Sequence, residues 1–231
     1  MRNITKLLVV VVLAGTLFTS CKDAPDGKQE TKTAVETIDK SDATETKTDI
    51  KIVLNANLAT ETDLKGLGLS SEIVTEILEK RPFLSINDFD AMLGDLNKEA
   101  LYTKIFVPIN LNTTAEADFN MIPGVGDRMA HDFEEYSPYT SVKQFKREIG
   151  KYVDETEVER YLNYVFVPVE LNTASEEDIK ALPGVGKRMA HEFEEYRPYA
   201  SLNQFRKEIG KYVDDKELLR LERFVYLKEK S

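Results

Sequence analysis

Short apolar stripes of helical period alternate along the chain with glycine- and proline-marked breaks, and the pattern returns after sixty residues. Leu111-Asn112-Thr113 and Leu171-Asn172-Thr173 open matching stretches at a constant offset of 60, and 32 of the 55 positions from Leu111 to Val165 are identical to their partners. A fainter copy precedes them. Leu54-Asn55 opens it, Arg81-Pro82-Phe83 answers Arg197-Pro198-Tyr199, and Ile105-Phe106-Val107-Pro108 answers Val165-Phe166-Val167-Pro168. Self-similarity at this period marks a tandem array, with units near 54–110, 111–170 and 171–228.

Each unit reads as four short helices. Thr113 with Glu116, and Thr173 with Glu176, have the capping-box spacing that opens the first helix. Pro-Gly-Val-Gly at 123–126 and 183–186 ends it, because glycine permits positive φ and proline cannot continue the hydrogen-bond ladder. In the second helix Met129, Ala130, Phe133 and Tyr136 share one face, as do Met189, Ala190, Phe193 and Tyr196; Pro138 and Pro198 stop it. Ser141 with Gln144, and Ser201 with Gln204, cap a third helix, and Gly150 and Gly210 stand where a C-terminal cap belongs. Asp154 and Asp214 cap the fourth, which carries Val158, Tyr161 and Val165, or Leu218, Leu221 and Val225. The alternation at Val165-Phe166-Val167-Pro168 is too brief for a sheet. The predicted class is all-α: three tandem units of about four short helices each.

The N-terminal residues read differently. Arg2 and Lys6 precede an apolar run from Leu7 to Phe18, then Thr19, Ser20 and Cys21, the sole cysteine. This is the layout of a secretory signal. Ending on Leu-Phe-Thr-Ser-Cys, it resembles a bacterial lipoprotein signal over 1–20, which implies that Cys21 carries lipid and tethers the protein to a membrane. The absence of aspartate after Cys21 implies the outer membrane of the bacterial envelope, on its periplasmic side or at the cell surface. The alternative is an ordinary signal with an incidental cysteine. Residues 21–49 are rich in Lys, Thr, Glu, Asp and Ala, with too few apolar positions to repay the entropy of folding, and predict a flexible, disordered spacer. Folded units are then expected over 50–110, 111–170 and 171–231. A single cysteine allows no internal disulfide, so the fold depends on its core.

Charge narrows the partners. The formal net charge is −10; removing Arg2 and Lys6 makes it −12, and the spacer holds five lysines against eight acids, which leaves about −9 on 50–231. A body this acidic does not attract nucleic acid through its overall field, so any such binding needs a local patch. No Ser-His-Asp, Cys-His, Walker or Rossmann arrangement occurs. The chain is therefore expected to be a binding protein, not an enzyme, with no cofactor and no metal.

"LPGVGKRMA" after a capped helix, an amphipathic helix and then "YRPYAS" followed by Phe205 resemble the helix-hairpin-helix family, in the tandem form of the ComEA-like competence DNA receptors. "LNTASEEDIKALPGVG" fits that form best. The likeness spans roughly 54–228 and is strongest in the third unit. It implies sequence-independent contact with the DNA phosphate backbone. A Gly-x-Gly turn at a helix start exposes free N–H groups and the positive end of the helix dipole, and no side chain blocks a phosphate oxygen. Gly184, Val185 and Gly186 are the expected cradle, supported by Lys187 and Arg188. The second unit offers Gly124, Val125, Gly126 and Arg128, but sets Asp127 where Lys187 stands. The first has Leu67-Gly68-Leu69-Ser70, with neither the proline nor the second glycine. Ile149-Gly150-Lys151 and Ile209-Gly210-Lys211 keep one glycine at the second hairpin of each pair and read as structural.

Two readings stay open. Both glycine pairs can also serve only to turn the chain. From Pro123 to Ser137 the net charge is −3, and from Pro183 to Arg197 it is zero. Lys143, Lys146 and Arg147, and Arg206, Lys207 and Lys211, form a basic stripe only if the third helices lie beside the hairpins. Glu134, Glu135, Glu194 and Glu195 form either a solvated helix face or a recognition face for a basic protein partner, the latter making the chain an envelope scaffold or adaptor. His131 and His191, each with a glutamate four residues on, supply at most half a metal site and otherwise read as partly buried packing residues. Tyr136, Tyr139, Tyr152, Tyr196, Tyr199 and Tyr212 read as core or core-edge.

Overall fold

The computed structural model describes residues 52–228. The signal sequence, Cys21 and the spacer at 21–49 lie outside the described residues. Among the described residues, twelve helices and six two-residue strands make up a mostly helical fold, as the periodicity predicts. The first segment runs β1 (Leu54–Asn55), α1 (Glu61–Gly66), α2 (Ser71–Lys80), α3 (Ile86–Leu93), α4 (Lys98–Tyr102) and β2 (Ile105–Phe106). The second runs β3 (Ile109–Asn110), α5 (Glu116–Phe119), α6 (Asp127–Glu135), α7 (Val142–Ile149), α8 (Glu155–Tyr161) and β4 (Val165–Phe166). The third runs β5 (Val169–Glu170), α9 (Glu176–Lys180), α10 (Lys187–Glu195), α11 (Leu202–Ile209), α12 (Asp215–Glu222) and β6 (Val225–Tyr226).

The strands correct the sequence reading, which denied any sheet. Each segment's first residues pair in parallel with its last: Leu54 with Ile105, Ile109 with Val165, and Val169 with Val225. The apolar Val-Phe and Ile-Phe pairs suit a buried ladder, and four helices form the crossover that parallel pairing requires. Pro108 and Pro168 follow β2 and β4 within two residues and have no N–H to extend the ladder.

A second clamp closes each segment beside its ladder. Asn112 Nδ2 donates to the Tyr139 carbonyl (2.8 Å) while its Oδ1 accepts from the Tyr139 N–H (2.7 Å). Asn172 holds Tyr199 in the same way (3.0 and 2.6 Å), and Asn57 holds Phe83 (3.0 and 2.8 Å). In each case one side-chain amide satisfies both backbone groups of the residue after the proline at 82, 138 or 198. The clamp also corrects the register of the first copy. Leu54-Asn55 is β1, the counterpart of Ile109-Asn110, and Asn57 is the counterpart of Asn112.

Local capping follows the sequence at most helices. Ser141, Ser201, Asp154 and Asp214 accept from the N–H groups of Gln144, Gln204, Glu157 and Glu217. At the first helices the cap lies two residues later than the Thr-Glu spacing predicts. Ala115 occupies the N-cap of α5 without a side-chain bond, and Ser175 caps α9 by accepting from the Asp178 N–H (3.1 Å). Gly150 and Gly210 are not left-handed caps. Gly150 has φ −61°, and a Cβ there would lie 2.7 Å from the Lys146 carbonyl oxygen, so glycine serves a close approach instead.

Two apolar clusters form the interior. One runs from Val53 to Val167 and is shared by the first two segments; the other runs from Phe166 to Val225 within the third. Edge-on aromatic contacts carry both, such as Phe119–Phe133 at 5.4 Å, Phe133–Tyr161 at 5.2 Å and Phe193–Phe205 at 5.1 Å. The third segment also meets the first. Arg223 donates from Nη1 to the Phe83 carbonyl (3.3 Å) and from Nη2 to the Pro108 carbonyl (3.1 Å), with its guanidinium 5.6 Å from the Phe166 ring centre. Burial, with a smaller contribution from neighbouring Arg220, lowers the Arg223 pKa to about 10, so it remains charged at neutral pH. Lys216 Nζ reaches the Glu79 carbonyl at 3.2 Å.

Asn172→Ala leaves the N–H and carbonyl of Tyr199 without their partner and is expected to cost about 1–3 kcal/mol. The loss should appear as a lower urea midpoint at unchanged slope.

Candidate nucleic-acid interface

The hairpin between α9 and α10 is built from the inside out. Ile179 and Leu182 are buried and pin the end of α9 to the core. Gly184 then takes φ +74°, a left-handed turn that an L side chain disfavours, and the chain reverses. The Val185 N–H donates to the Leu182 carbonyl (3.0 Å), and its side chain is 4% exposed. Gly186, extended at φ −84°, is the N-cap of α10 and makes no side-chain cap bond. A Cβ at Gly186 would meet nothing within 4 Å. The first turn of α10 therefore presents N–H groups to open space, flanked by Lys187 and Arg188. Both are exposed and form no ion pair among the described residues.

The second hairpin repeats this backbone. Gly124 has φ +81°, the Val125 N–H donates to the Ile122 carbonyl (2.9 Å), and Gly126 is an uncapped N-cap of α6. Asp127 occupies the first turn of α6, where it accepts from Asn120 Nδ2 at 2.9 Å. Arg128 is exposed. In the first segment Gly68 keeps the turn (φ +78°), but Ser70 caps α2 and accepts from the Ile73 N–H at 3.4 Å. That hydroxyl occupies the acceptor position a phosphate oxygen would take.

Three features change the expected site. Val185 and Val125 are core anchors whose N–H groups are already bonded, so neither belongs to a phosphate cradle. Gly184 is exposed, but a Cβ on it would lie 2.5 Å from Leu58 Cδ1 of the first segment and 3.2 Å from Arg220 Nη2. Gly186, Lys187 and Arg188 are exposed as well. A Cβ on Gly124 would meet only Arg160 Nη2, at 3.4 Å.

Arg220 and Arg160 are the functional residues that sequence reasoning missed. Arg220 is 2% exposed, donates from Nη1 to the Pro183 carbonyl (2.5 Å), and is held by both oxygens of Glu217 (2.7 and 2.6 Å). Arg160 is held in the same fork by Glu157 (2.7 and 2.6 Å), and that hydrogen bonding raises its pKa. The signal was the Glu-x-x-Arg spacing, preserved at the 60-residue offset. Both residues sit in the fourth helix, 34 or more positions after the glycines, so the sequence does not link them to the hairpin.

The basic residues of the third helices are largely neutralised by ion pairs. Lys146 pairs with Glu159, and Arg147 (2.5 Å) and Lys151 both bind Glu148. Arg206 pairs with Glu222, and Lys211 with Glu208. Hydrogen bonds from Lys151 and then Arg147 hold the Glu148 carboxyl below its ordinary pKa. Lys143 and Lys207 are left without ion pairs among the described residues. Tyr139 and Tyr199 are buried, as predicted, whereas Tyr152 and Tyr212 are exposed and meet Tyr136 and Tyr196 through 2.7 Å hydroxyl contacts. Residues 165–226 match the family model described as the helix-hairpin-helix motif. The third segment is therefore similar to the helix-hairpin-helix motif. No curated protein and no solved structure matches the chain. The match covers just over a quarter of the chain, and it contains the hairpin that, among the described residues, joins an uncapped helix start to two cations without ion pairs.

Gly184→Ala in the third segment should lose about 1–2 kcal/mol from the left-handed backbone alone, and more from displacing Leu58. Gly186→Ala, at an extended backbone with open space, should lose less. Thermal melting ranks the two, and equal or reversed losses contradict this geometry.

Proposed function

We propose that the protein is a lipid-anchored component of the bacterial envelope, held by Cys21, whose third hairpin binds the DNA phosphate backbone weakly and without sequence preference. The observation that carries this reading is the uncapped start of α10, where Gly186 leaves open space and Lys187 and Arg188 remain free of ion pairs. Helix-hairpin-helix motifs commonly bind nucleic acid, and residues 165–226 match that motif. A phosphate oxygen would accept from the first-turn N–H groups of α10 while the two cations add charge-assisted contacts. Such contact positions the protein on a duplex and reads no bases. The second hairpin, with Gly124, Gly126 and Arg128, contributes less, because Asp127 repels phosphate. The acidic body adds no long-range attraction, so binding is short-ranged and weak. The supporting role fits capture or presentation of DNA at the envelope, as in competence.

A second reading rests on its own observation. Leu58 of the first segment lies beside Gly184, and Arg220 binds the Pro183 carbonyl, so the third hairpin also makes internal packing contacts. On that reading the chain is an envelope scaffold or adaptor with structural hairpins, and its partner is a protein. Glu195, paired only with His191 (3.6 Å), and the exposed Glu135 would offer the acidic face.

The full chain should retain duplex DNA at low salt, with a log–log salt slope near −0.9 for each phosphate contact. Lys187→Glu with Arg188→Glu should abolish retention without changing the melting temperature. Absence of retention at low salt leaves the adaptor reading standing.

A further inference from the structure

His131 and His191 occupy equivalent places in α6 and α10, but their surroundings differ. In the third segment two of the neighbouring carboxylates have a lysine or arginine partner. Glu176 pairs with Lys180 (3.6 Å), Glu194 pairs with Arg197 (3.2 Å), and His191 meets Glu195 (3.6 Å). In the second segment two of these partners are replaced. Asn120 stands where Lys180 does, and Ser137 where Arg197 does. Among the described residues neither Glu116 nor Glu134 has a lysine or arginine ion-pair partner, and both lie near His131. His131 Nδ1 lies 3.5 Å from Glu116 Oε2, and one donor atom from each of Glu116, His131 and Glu134 lies within 4.8 Å of the other two. His131 is not a packing residue; its side chain is 63% exposed.

We propose that Glu116, His131 and Glu134 form a binding site for a borderline divalent transition-metal ion of the zinc class. Glu116 opens α5, while His131 and Glu134 stand three residues apart on one face of α6, so the crossing of α5 and α6 brings the three donors together. One imidazole nitrogen with two carboxylate oxygens suits zinc better than magnesium or calcium, which favour all-oxygen shells. Tetrahedral ligation at about 2.0–2.2 Å places donors roughly 3.3 Å apart. Exposed side chains reach that spacing by rotamer adjustment alone, and exposure leaves the fourth position to water. The second segment thus keeps the helix-hairpin-helix-like backbone while its acidic surface, unfavourable to phosphate, suits a cation.

The test is calorimetric titration of zinc chloride into the tag-free full chain. The expected result is one saturable site. His131→Ala and Glu116→Gln should each weaken it by at least about tenfold, the loss that even an outer-shell change causes. His191→Ala should leave it unchanged. Ser137→Arg retains all three ligands but supplies Glu134 with the partner that Glu194 has, and it should also weaken zinc binding. Melting temperatures without metal should match among these variants, because all the altered side chains lie at the surface. Absence of saturable binding at millimolar zinc, zinc binding that survives His131→Ala, or tighter binding of magnesium than zinc overturns the proposal.

Discussion

Everything in this chain depends on bringing the first residues of a segment back beside its last. Parallel pairing cannot be made by a tight turn; it demands a long crossover, and here the crossover is four helices. Two ladder residues are too few to hold such a loop closed alone. The asparagine amides at 57, 112 and 172 add a second closure by binding both backbone groups of the residue after each proline. With the ends fixed and the asparagine holding the chain at mid-segment, the hairpin glycines are turned toward the surface and the aromatic residues inward.

The same economy explains the internal tension of the hairpins. A left-handed glycine needs support from within, and a buried guanidinium supplies it: Arg220 binds the Pro183 carbonyl, with Glu217 balancing its charge. A charge buried this deeply is tolerable only when it is paired and fully hydrogen-bonded. The third hairpin has cations at its outer edge and Leu58 beside its first glycine; the second lacks that apolar neighbour and has an aspartate in the first turn. The two copies have thus diverged, and the differences that bear on the candidate sites include positions 120, 127 and 137 and their partners.

What could be read from sequence was local. The positive-φ glycines declared themselves because few other residues tolerate that backbone, and Ser141, Ser201, Asp154 and Asp214 declared themselves because a cap acts three residues away. What could not be read was non-local. The ladder pairs residues some fifty positions apart, so Val165-Phe166 gave no sign of its partner Ile109-Asn110. The Leu-Asn pair at 54–55 imitated the Leu-Asn of later copies and concealed Asn57. The basic stripe lost its charge to Glu159 and Glu222, thirteen and sixteen residues along the chain, and Leu58 reached Gly184 from another segment altogether. At the candidate site, the glycines and cations were legible, but their accessibility was not.

Arg223 makes the array something other than beads on a string. Solenoids in which each repeat touches only its neighbours can fray from either end. Here the last helix of the third segment holds the Phe83 and Pro108 carbonyls, so the two ends of the folded region restrain each other. The second segment has Asn163 at the corresponding place, where it satisfies carbonyls of its own helix, Arg160 and Glu159. The second and third copies are therefore not interchangeable, however alike they look: repeat order is written into a single side chain, and duplication has produced a closed object with a defined first and last member.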